Sequence, residues 1–526
     1  MTGAIVTGPV VAESVPLRTW LAVVGATLGT FMAVLNIQIV SASLDEIRGA
    51  LGAGIDDGAW ISTAYLVAEI VVIPLSGWLS RVFSVRRYLI ANAALFVLFS
   101  VACGLARDID QMIALRVLQG LCGGVLIPMA FTLVITLLPP GRQPVGLAIF
   151  AMAATFAPAI GPTVGGWLSE NWGWQYVFFV NIGPGLAMIG LLWFTLAREP
   201  MQLGLLRRGD WGGIAAMAIG LAALEIVLEE GNREDWFDSG FILRTAAIAA
   251  LALSAFVWIE LRSAHPFLNL RLLRRRNFGA GVAAMFLLGV ALYGSIYMLP
   301  LYLGRVQGYN AEQIGFVLAW TGLPQLLLIP LVPWLMRRFD PRWLVATGLV
   351  LFAGSNFMNV DLTADVGADQ LLLPNVVRAV GQALLMTPLT ALAVSGIAAA
   401  DAGSASGLLN VTRNLGGAIG IALLQTFLDE RQRFHVARVG EQLSVFDEPT
   451  RLRLDALVQQ FVDHGLSDRL LAGRKAIAAL ADSVQQQAYV MAVADAFYAL
   501  GATLVLALLA TVVLRRPATP AGAVGE

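Results

Sequence analysis

Lysine is all but missing from these 526 residues: Lys475 is the only one among 34 basic residues. No G-x-x-x-x-G-K-[ST] loop occurs, which excludes ATP-powered work by this chain alone. Cysteine is scarce too. Cys103 and Cys122 both fall inside apolar runs, so a disulfide framework and a thiolate metal cluster are excluded, and both thiols read as inert packing. The three histidines, His265, His435 and His464, lie outside those runs and share no metal-ligand spacing. Charge is thin: 13% of residues are charged, against about 25% in a soluble domain.

What replaces charge is apolar sequence, 58% of the chain, with a mean hydropathy of +0.75. The excess comes in blocks of about twenty residues, the length of a membrane-crossing helix. The polar stretch Met1–Arg18 leads into a full-length block, so no removable signal peptide is expected. Reading the blocks against charged and Gly/Pro breaks predicts fourteen helices. Six lie near 19–43, 58–80, 88–106, 111–138, 144–168 and 175–196. A pair follows near 211–228 and 241–260. Six more lie near 278–303, 312–335, 343–360, 371–398, 402–426 and 488–514.

Arginine sets the orientation. One side carries Arg81, Arg86, Arg87, Arg142, Arg198, Arg207, Arg208, Arg271, Arg274, Arg275, Arg276, Arg337, Arg338, Arg342, Arg515 and Arg516. The opposite loops are acidic, with Asp45, Glu46, Asp56 and Asp57 in one and Glu229, Glu230, Glu234 and Asp235 in another. The Arg-rich side is expected to be cytoplasmic, with both termini on it.

The chain also repeats itself. "GWLSRVFSVRR" (Gly77–Arg87) and "PWLMRRFDPRW" (Pro333–Trp343) share Trp, Leu, Arg, Phe and Arg in register, and Arg116 is echoed by Arg378. A duplicated six-helix bundle follows, with residues 1–200 and 271–526 as the halves and 201–270 inserted between them. Many secondary transporters hold substrate near the midplane of such a pair. The segment Asp429 to Gln487 has helical apolar spacing and reads as amphipathic helices on or above the far membrane surface.

Polar residues inside the blocks are the candidates for function, because each is costly there. Glu69 lies about 16 Å along its helix at 1.5 Å per residue. It is either a proton-exchanging carboxyl or a protonated one bonded to a neighbouring helix. Arg116 either biases such a carboxyl, locks two helices together, or snorkels to the interface. Gly120, Gly123 and Gly124 beside it admit a close backbone. In "GPTVGG", Gly161, Pro162, Gly165 and Gly166 suit tight packing or gating. Asn36, Gln38, Gln325, Arg378, Asn410, Arg413 and Asn414 either line a cavity or bridge helices. Tyr293, Tyr297, Met298 and Trp320 either line a hydrophobic cavity or pack against core and lipid. Asp495 lies near the outer end of the last helix, where interfacial solvation explains it as well as any function.

These segments resemble the major facilitator superfamily, in its fourteen-helix drug:proton antiporter branch, and within it EmrB-type efflux subunits. "RVLQGLCGGVLIP" is similar to the fourth-helix motif, and "AIGPTVGGWLSENWGWQYVFFVNIGPG" to the antiporter motif and the turn after it. "LEEGNREDWFDS", "HPFLNLRLLRRRNF", "LPLYL" and "GLLNVTRNLGGAIG" are further likenesses, and Gly77, Arg81, Arg86 and Arg87 stand in the family's cytoplasmic loop motif. This chain departs from the pattern at Arg81, where Asp is usual, at Ser84, where Gly is usual, and at Asn36, where an acidic residue is usual. Glu69 is a candidate for the displaced carboxylate role, with Arg116 beside it.

The resemblance implies an all-α integral membrane protein of the bacterial inner membrane and no enzyme activity. It implies export of hydrophobic or amphipathic small molecules driven by inward proton flow, with no cofactor beyond the proton gradient. It implies as partners a periplasmic adaptor of the EmrA type and a TolC-type outer-membrane channel, with 429–487 as the docking surface. A dedicated exporter of one metabolite, such as a siderophore, fatty acid or antibiotic, fits the same sequence. A membrane-embedded lipid enzyme would need a catalytic constellation, and none is visible. Nothing points to nucleic acid.

Overall fold

The computed structural model describes residues 15–511 except positions 208, 264, 265, 445 and 467, and gives the backbone alone at 55, 56, 159, 311 and 399. Arg208, His265, Arg515 and Arg516, which entered the reading above, lie outside the described residues. All regular structure among the described residues is helical.

The spans, in chain order, are α1 (Leu17–Ala42), α2 (Ile55–Val72, resumed by Ser76–Phe83), α3 (Val85–Gly104), α4 (Ile109–Leu137), α5 (Gln143–Trp172) and α6 (Tyr176–Thr195). Then come α7 (Trp211–Glu230) and α8 (Gly240–Arg262). The last set is α9 (Arg276–Arg305), α10 (Ala311–Leu328, resumed by Val332–Arg338), α11 (Pro341–Phe357), α12 (Ala368–Ala393), α13 (Ala402–Glu441) and α14 (Arg469–Thr511). Among the described residues eleven helices are long and apolar enough to cross a membrane, or thirteen if each of two bent pairs is one span. The 17-residue helix α11 occupies the remaining expected place.

The breaks have chemical causes. Pro74 lacks an N–H to continue the ladder, and α2 turns by 64° there. Pro158 and Pro162 lie in α5, whose halves are bent by 46°. Side chains cap several starts: Asp108 accepts from the Gln111 N–H at 2.8 Å, Asp210 from the Gly213 N–H at 2.9 Å, and Asn310 and Gln313 form a reciprocal box.

Glycine sets how the spans pack. A Cβ on Gly124 would stand 2.6 Å from the Glu69 carbonyl oxygen, so α4 lies directly on α2. A Cβ on Gly165 would stand 2.8 Å from the Ile39 carbonyl oxygen, and Gly161 abuts Gln38, which presses α5 against α1. The antiporter-like motif therefore forms a close helix crossing. The two halves meet at the Arg-rich end: a Cβ on Gly77 would lie 2.8 Å from the Gly403 Cα, and Ser406 Oγ donates to the Pro128 carbonyl at 2.8 Å. On the other seam α5 packs along α10.

Two features depart from the expected layout. The inserted helix α7 packs on both α2 and α13, spanning the seam between the halves. Glu229 and Glu230, read above as loop residues, close its last turn, and Glu230 is buried. Beyond the expected span ends, α13 continues to Glu441 and α14 begins at Arg469, with the short helix Glu448–Asp463 packed on α14. The stretch 429–487 is thus largely a continuation of two spans. Asp495 joins them, accepting from Arg431 Nε at 2.7 Å with His435 Nε2 also at 2.7 Å.

Candidate proton and substrate sites

Glu69 is 2% exposed, and among the described residues neither carboxyl oxygen has a hydrogen-bond partner. The Gly120–Gly124 face of α4 holds its backbone, because those glycines let α2 approach. Its carboxyl is within electrostatic reach of Arg413 of α13 and Arg116 of α4, a cation from each half, and is hydrogen-bonded to neither.

Arg116 is 1% exposed. Its Nε donates to the Ile61 carbonyl at 2.9 Å, and its Nη1 donates to Asn36 Oδ1 and Gln119 Oε1, both at 2.8 Å. Its guanidinium lies 4.2 Å from the Tyr65 ring centre. It therefore ties α1, α2 and α4 together, and Asn36 serves as its acceptor. Gln119 extends the network to Ser100, which Asn181 of α6 also bonds. An arginine cannot discharge, so buried acceptors must surround it.

The second half repeats part of this geometry with an amide in place of the carboxyl, and its buried cation, Arg378, lines the same cavity as that amide. The register of the Gly77 and Pro333 segments offsets the halves by 256 positions, which places Gln325 opposite Glu69 and Val317 opposite Ile61. Gln325 Nε2 donates to Gln382 Oε1 at 2.9 Å, and Asn375 Nδ2 donates to the Val317 carbonyl at 3.1 Å. An amide binds no proton in this range, so of these two matching positions only Glu69 carries a titratable group.

Two cavities lie between the halves. One is a small cavity lined by Phe131, Phe150, Met285, Met386, Asn410 and Arg413 among others. The other, equally small, is lined by Thr155, Pro158, Leu318, Gln325, Arg378 and Gln382 among others. Apolar walls carrying a few polar groups suit hydrophobic molecules with a polar end. Arg413 donates to Asn410 Oδ1 at 3.3 Å and Tyr293 faces it. Tyr297 accepts from Gln425 at 3.1 Å, while Asn414 is half-buried with its Oδ1 unpartnered.

Tyr293, Tyr297, Asn414 and Asn36 line neither cavity, and three more candidates sit elsewhere. Trp320 lines neither cavity; with Phe316, Leu323 and Leu327 it forms an exposed stripe at helical spacing, the lipid-facing side of α10. Met298 is fully buried core and Gln38 packs at the α1–α5 crossing. In the loop motif, Arg86 donates to the Trp193 carbonyl at 2.7 Å and lies over its ring, whereas Arg81 and Arg87 are exposed.

Sequence reasoning missed Glu225 and Glu260, which are 4% and 2% exposed. Each stands a few residues from a span end, where interfacial solvation explains a carboxylate well enough that neither drew notice. Helical phase was the available signal, since Glu225 shares a face with Leu221.

Residues 26–421 match the Major Facilitator Superfamily. Colistin resistance protein EmrB of Acinetobacter baumannii is 32% identical over 87% of this chain and 90% of its own length. Fatty acid resistance protein FarB of Neisseria gonorrhoeae is 31% identical over 95% of this chain and 96% of its own. Multidrug export protein EmrB of Escherichia coli K12 is 30% identical over 95% and 96%. Among solved structures, the human organic anion transporter MFSD10 (TETRAN) superposes with a TM-score of 0.58 at 13% identity, covering 94% of this chain and all of that one. A bacterial homologue of the human lysosomal transporter Spinster gives 0.53 at 17% identity, covering 95% and 98%, and both likenesses concern the fold. The chain belongs to the major facilitator superfamily, as a multi-pass membrane transporter of the EmrB type.

Proposed function

We propose that this chain exports hydrophobic or amphipathic small molecules across the bacterial inner membrane in exchange for protons, its Arg-rich side and both termini cytoplasmic. The observation that carries this reading is Glu69: a buried carboxyl without a hydrogen-bond partner, at the seam of two related halves, under the charges of Arg413 and Arg116. Rocking of the halves about that seam would open it to alternate sides. The apolar cavity walls and the names of the relatives, which speak of multidrug export and of resistance to colistin and fatty acids, support an amphipathic cargo. The extended ends of α13 and α14, with Glu448–Asp463, give a surface for a periplasmic adaptor and, through it, an outer-membrane channel.

The test is reconstitution into liposomes with an imposed pH gradient and a panel of fluorescent amphipaths. Gradient-driven transport in the wild type, lost in Glu69→Gln while gradient-free exchange persists, is the expected result. Transport indifferent to the gradient would reject proton coupling. Transport confined to a single compound class would favour a dedicated exporter.

A further inference from the structure

We propose that Glu225 of the inserted helix α7 is a second proton-binding carboxyl, which hands protons to Glu69 along the α2–α7 contact, outside the cavities between the halves. The inference deepens the proton-driven reading and rests on it.

The geometry starts at one bond. Thr63 Oγ1 of α2 donates to Glu230 Oε1 of α7 at 3.0 Å, fixing two antiparallel helices at a common depth. From that point Glu69 lies six residues further along α2, about 9 Å deeper at 1.5 Å per residue. Glu225 lies five residues back along α7, about 7.5 Å deeper in the same direction. The two carboxyls therefore share a level in the membrane, on helices that touch.

Their surroundings differ from those of a structural ion pair. Glu230 is held by Thr63 and by Arg233 at 2.5 Å. Glu225 is 4% exposed, its Oε2 has no hydrogen-bond partner, and both Glu69 oxygens lack one. The charges acting on Glu225 are Glu229, one turn onward on its own helix, and Glu69 from α2. From α13, Arg413 acts on Glu69, and Asp429 accepts from Asn232 beyond the end of α7. The charged residues of α8, Arg244, Glu260 and Arg262, lie toward its two ends. Among the described residues no arginine is hydrogen-bonded to or ion-paired with Glu225. An unpaired buried carboxylate is expensive, so the group is best served by carrying a proton that it can pass on.

Glu229 is half-buried in the last turn, between Glu225 and the acidic side. A proton entering there reaches Glu225 as a carboxylic acid. Glu225 passes it through an intervening water to the Glu69 carboxylate, since the two groups are not hydrogen-bonded to each other, and is left as a carboxylate, ready for the next proton through Glu229. Neither cavity is lined by Glu69 or Glu225, so protons and cargo take separate routes. The inserted pair thereby gains a role: α7 brings a carboxyl to the seam that the twelve repeated helices do not supply.

The test is infrared difference spectroscopy of the purified full-length protein across a pH series, following the carbonyl stretch of protonated carboxyls. Wild type, Glu225→Gln, Glu225→Asp, Glu69→Gln and the double Gln variant are compared. Each single Gln variant should lose one component of the band. The midpoint of the remaining component should move by about one pH unit or more, because coupled carboxyls titrate as a pair. Glu225→Asp should keep both components. A Glu69 component that titrates identically with and without the Glu225 carboxyl overturns the proposal.

Ethidium transport into proteoliposomes under a pH gradient gives a second readout. Glu225→Gln should slow it about tenfold or more, with gradient-free exchange retained. The double variant should be no slower than Glu69→Gln. Wild-type rates in Glu225→Gln would overturn this proposal alone, whereas wild-type rates in Glu69→Gln would overturn the reading beneath it.

Discussion

Replacing Ser84 with glycine should stabilise the protein. Ser84 joins the end of α2 to the start of α3 with φ 68° and ψ 135°, a conformation that penalises a side chain and favours glycine. Strain of this kind costs about 1–3 kcal/mol. The Ser84 hydroxyl is also buried without a hydrogen-bond partner, a further cost of about 1–3 kcal/mol. Against these stands the greater freedom that glycine gives the unfolded chain, about 0.4–1 kcal/mol. The balance favours Ser84→Gly by about 1–5.6 kcal/mol. Thermal unfolding in detergent should show a rise of a few degrees, and Ser84→Ala, which removes only the hydroxyl, should gain less. A fall in midpoint for Ser84→Gly would refute the argument that this turn is strained.

Three further outcomes follow from the packing. Arg116→Lys keeps the charge but cannot reach Ile61, Asn36 and Gln119 with one ammonium; bonds between membrane helices average about 0.6 kcal/mol, so a loss of about 1–2 kcal/mol is expected in chemical unfolding. An unchanged midpoint would mean that the network adds nothing. Gly403→Val forces a branched side chain against the Gly77 backbone, so the Arg-rich end should open; a cysteine placed at Leu409, in the cavity wall, should then react faster with a membrane-impermeant maleimide. Glu46 lies outside the spans, and partial burial, then Glu170 and Asp45, raise its pKa above the ordinary 4.5. The folded state thus holds that proton more tightly, and its contribution to stability is lost as pH rises from about 4.5 upward. Glu46→Gln should flatten this part of the stability–pH curve slightly, because solvent screens so exposed a group.

The sequence carried the architecture because apolar run length, arginine placement and duplication are one-dimensional signals. Glu69 and Arg116 stood out for the same reason, each being a charge where charge is expensive. Other features depend on which faces meet. Apolar residues facing lipid and those facing a seam look alike in a chain, so the docking of α7 on α2 and α13 could not be read. Trp320 was ambiguous for that reason, since an indole suits an acyl chain as well as a cavity wall. Asn36 shows a different limit: its value lies in accepting from an arginine 80 positions away. The continuation of α13 and α14 past the membrane was masked by ordinary polar composition, which suits surface helices and projecting ones equally.

The central claim is that Glu69 releases a proton when cargo binds and regains it from the opposite side. Weakly buffered, purified protein mixed with a transported amphipath in the presence of a pH-indicator dye measures this directly. The wild type should release protons on binding, and Glu69→Gln should bind the same compound with no release. Equal release from both would contradict the account.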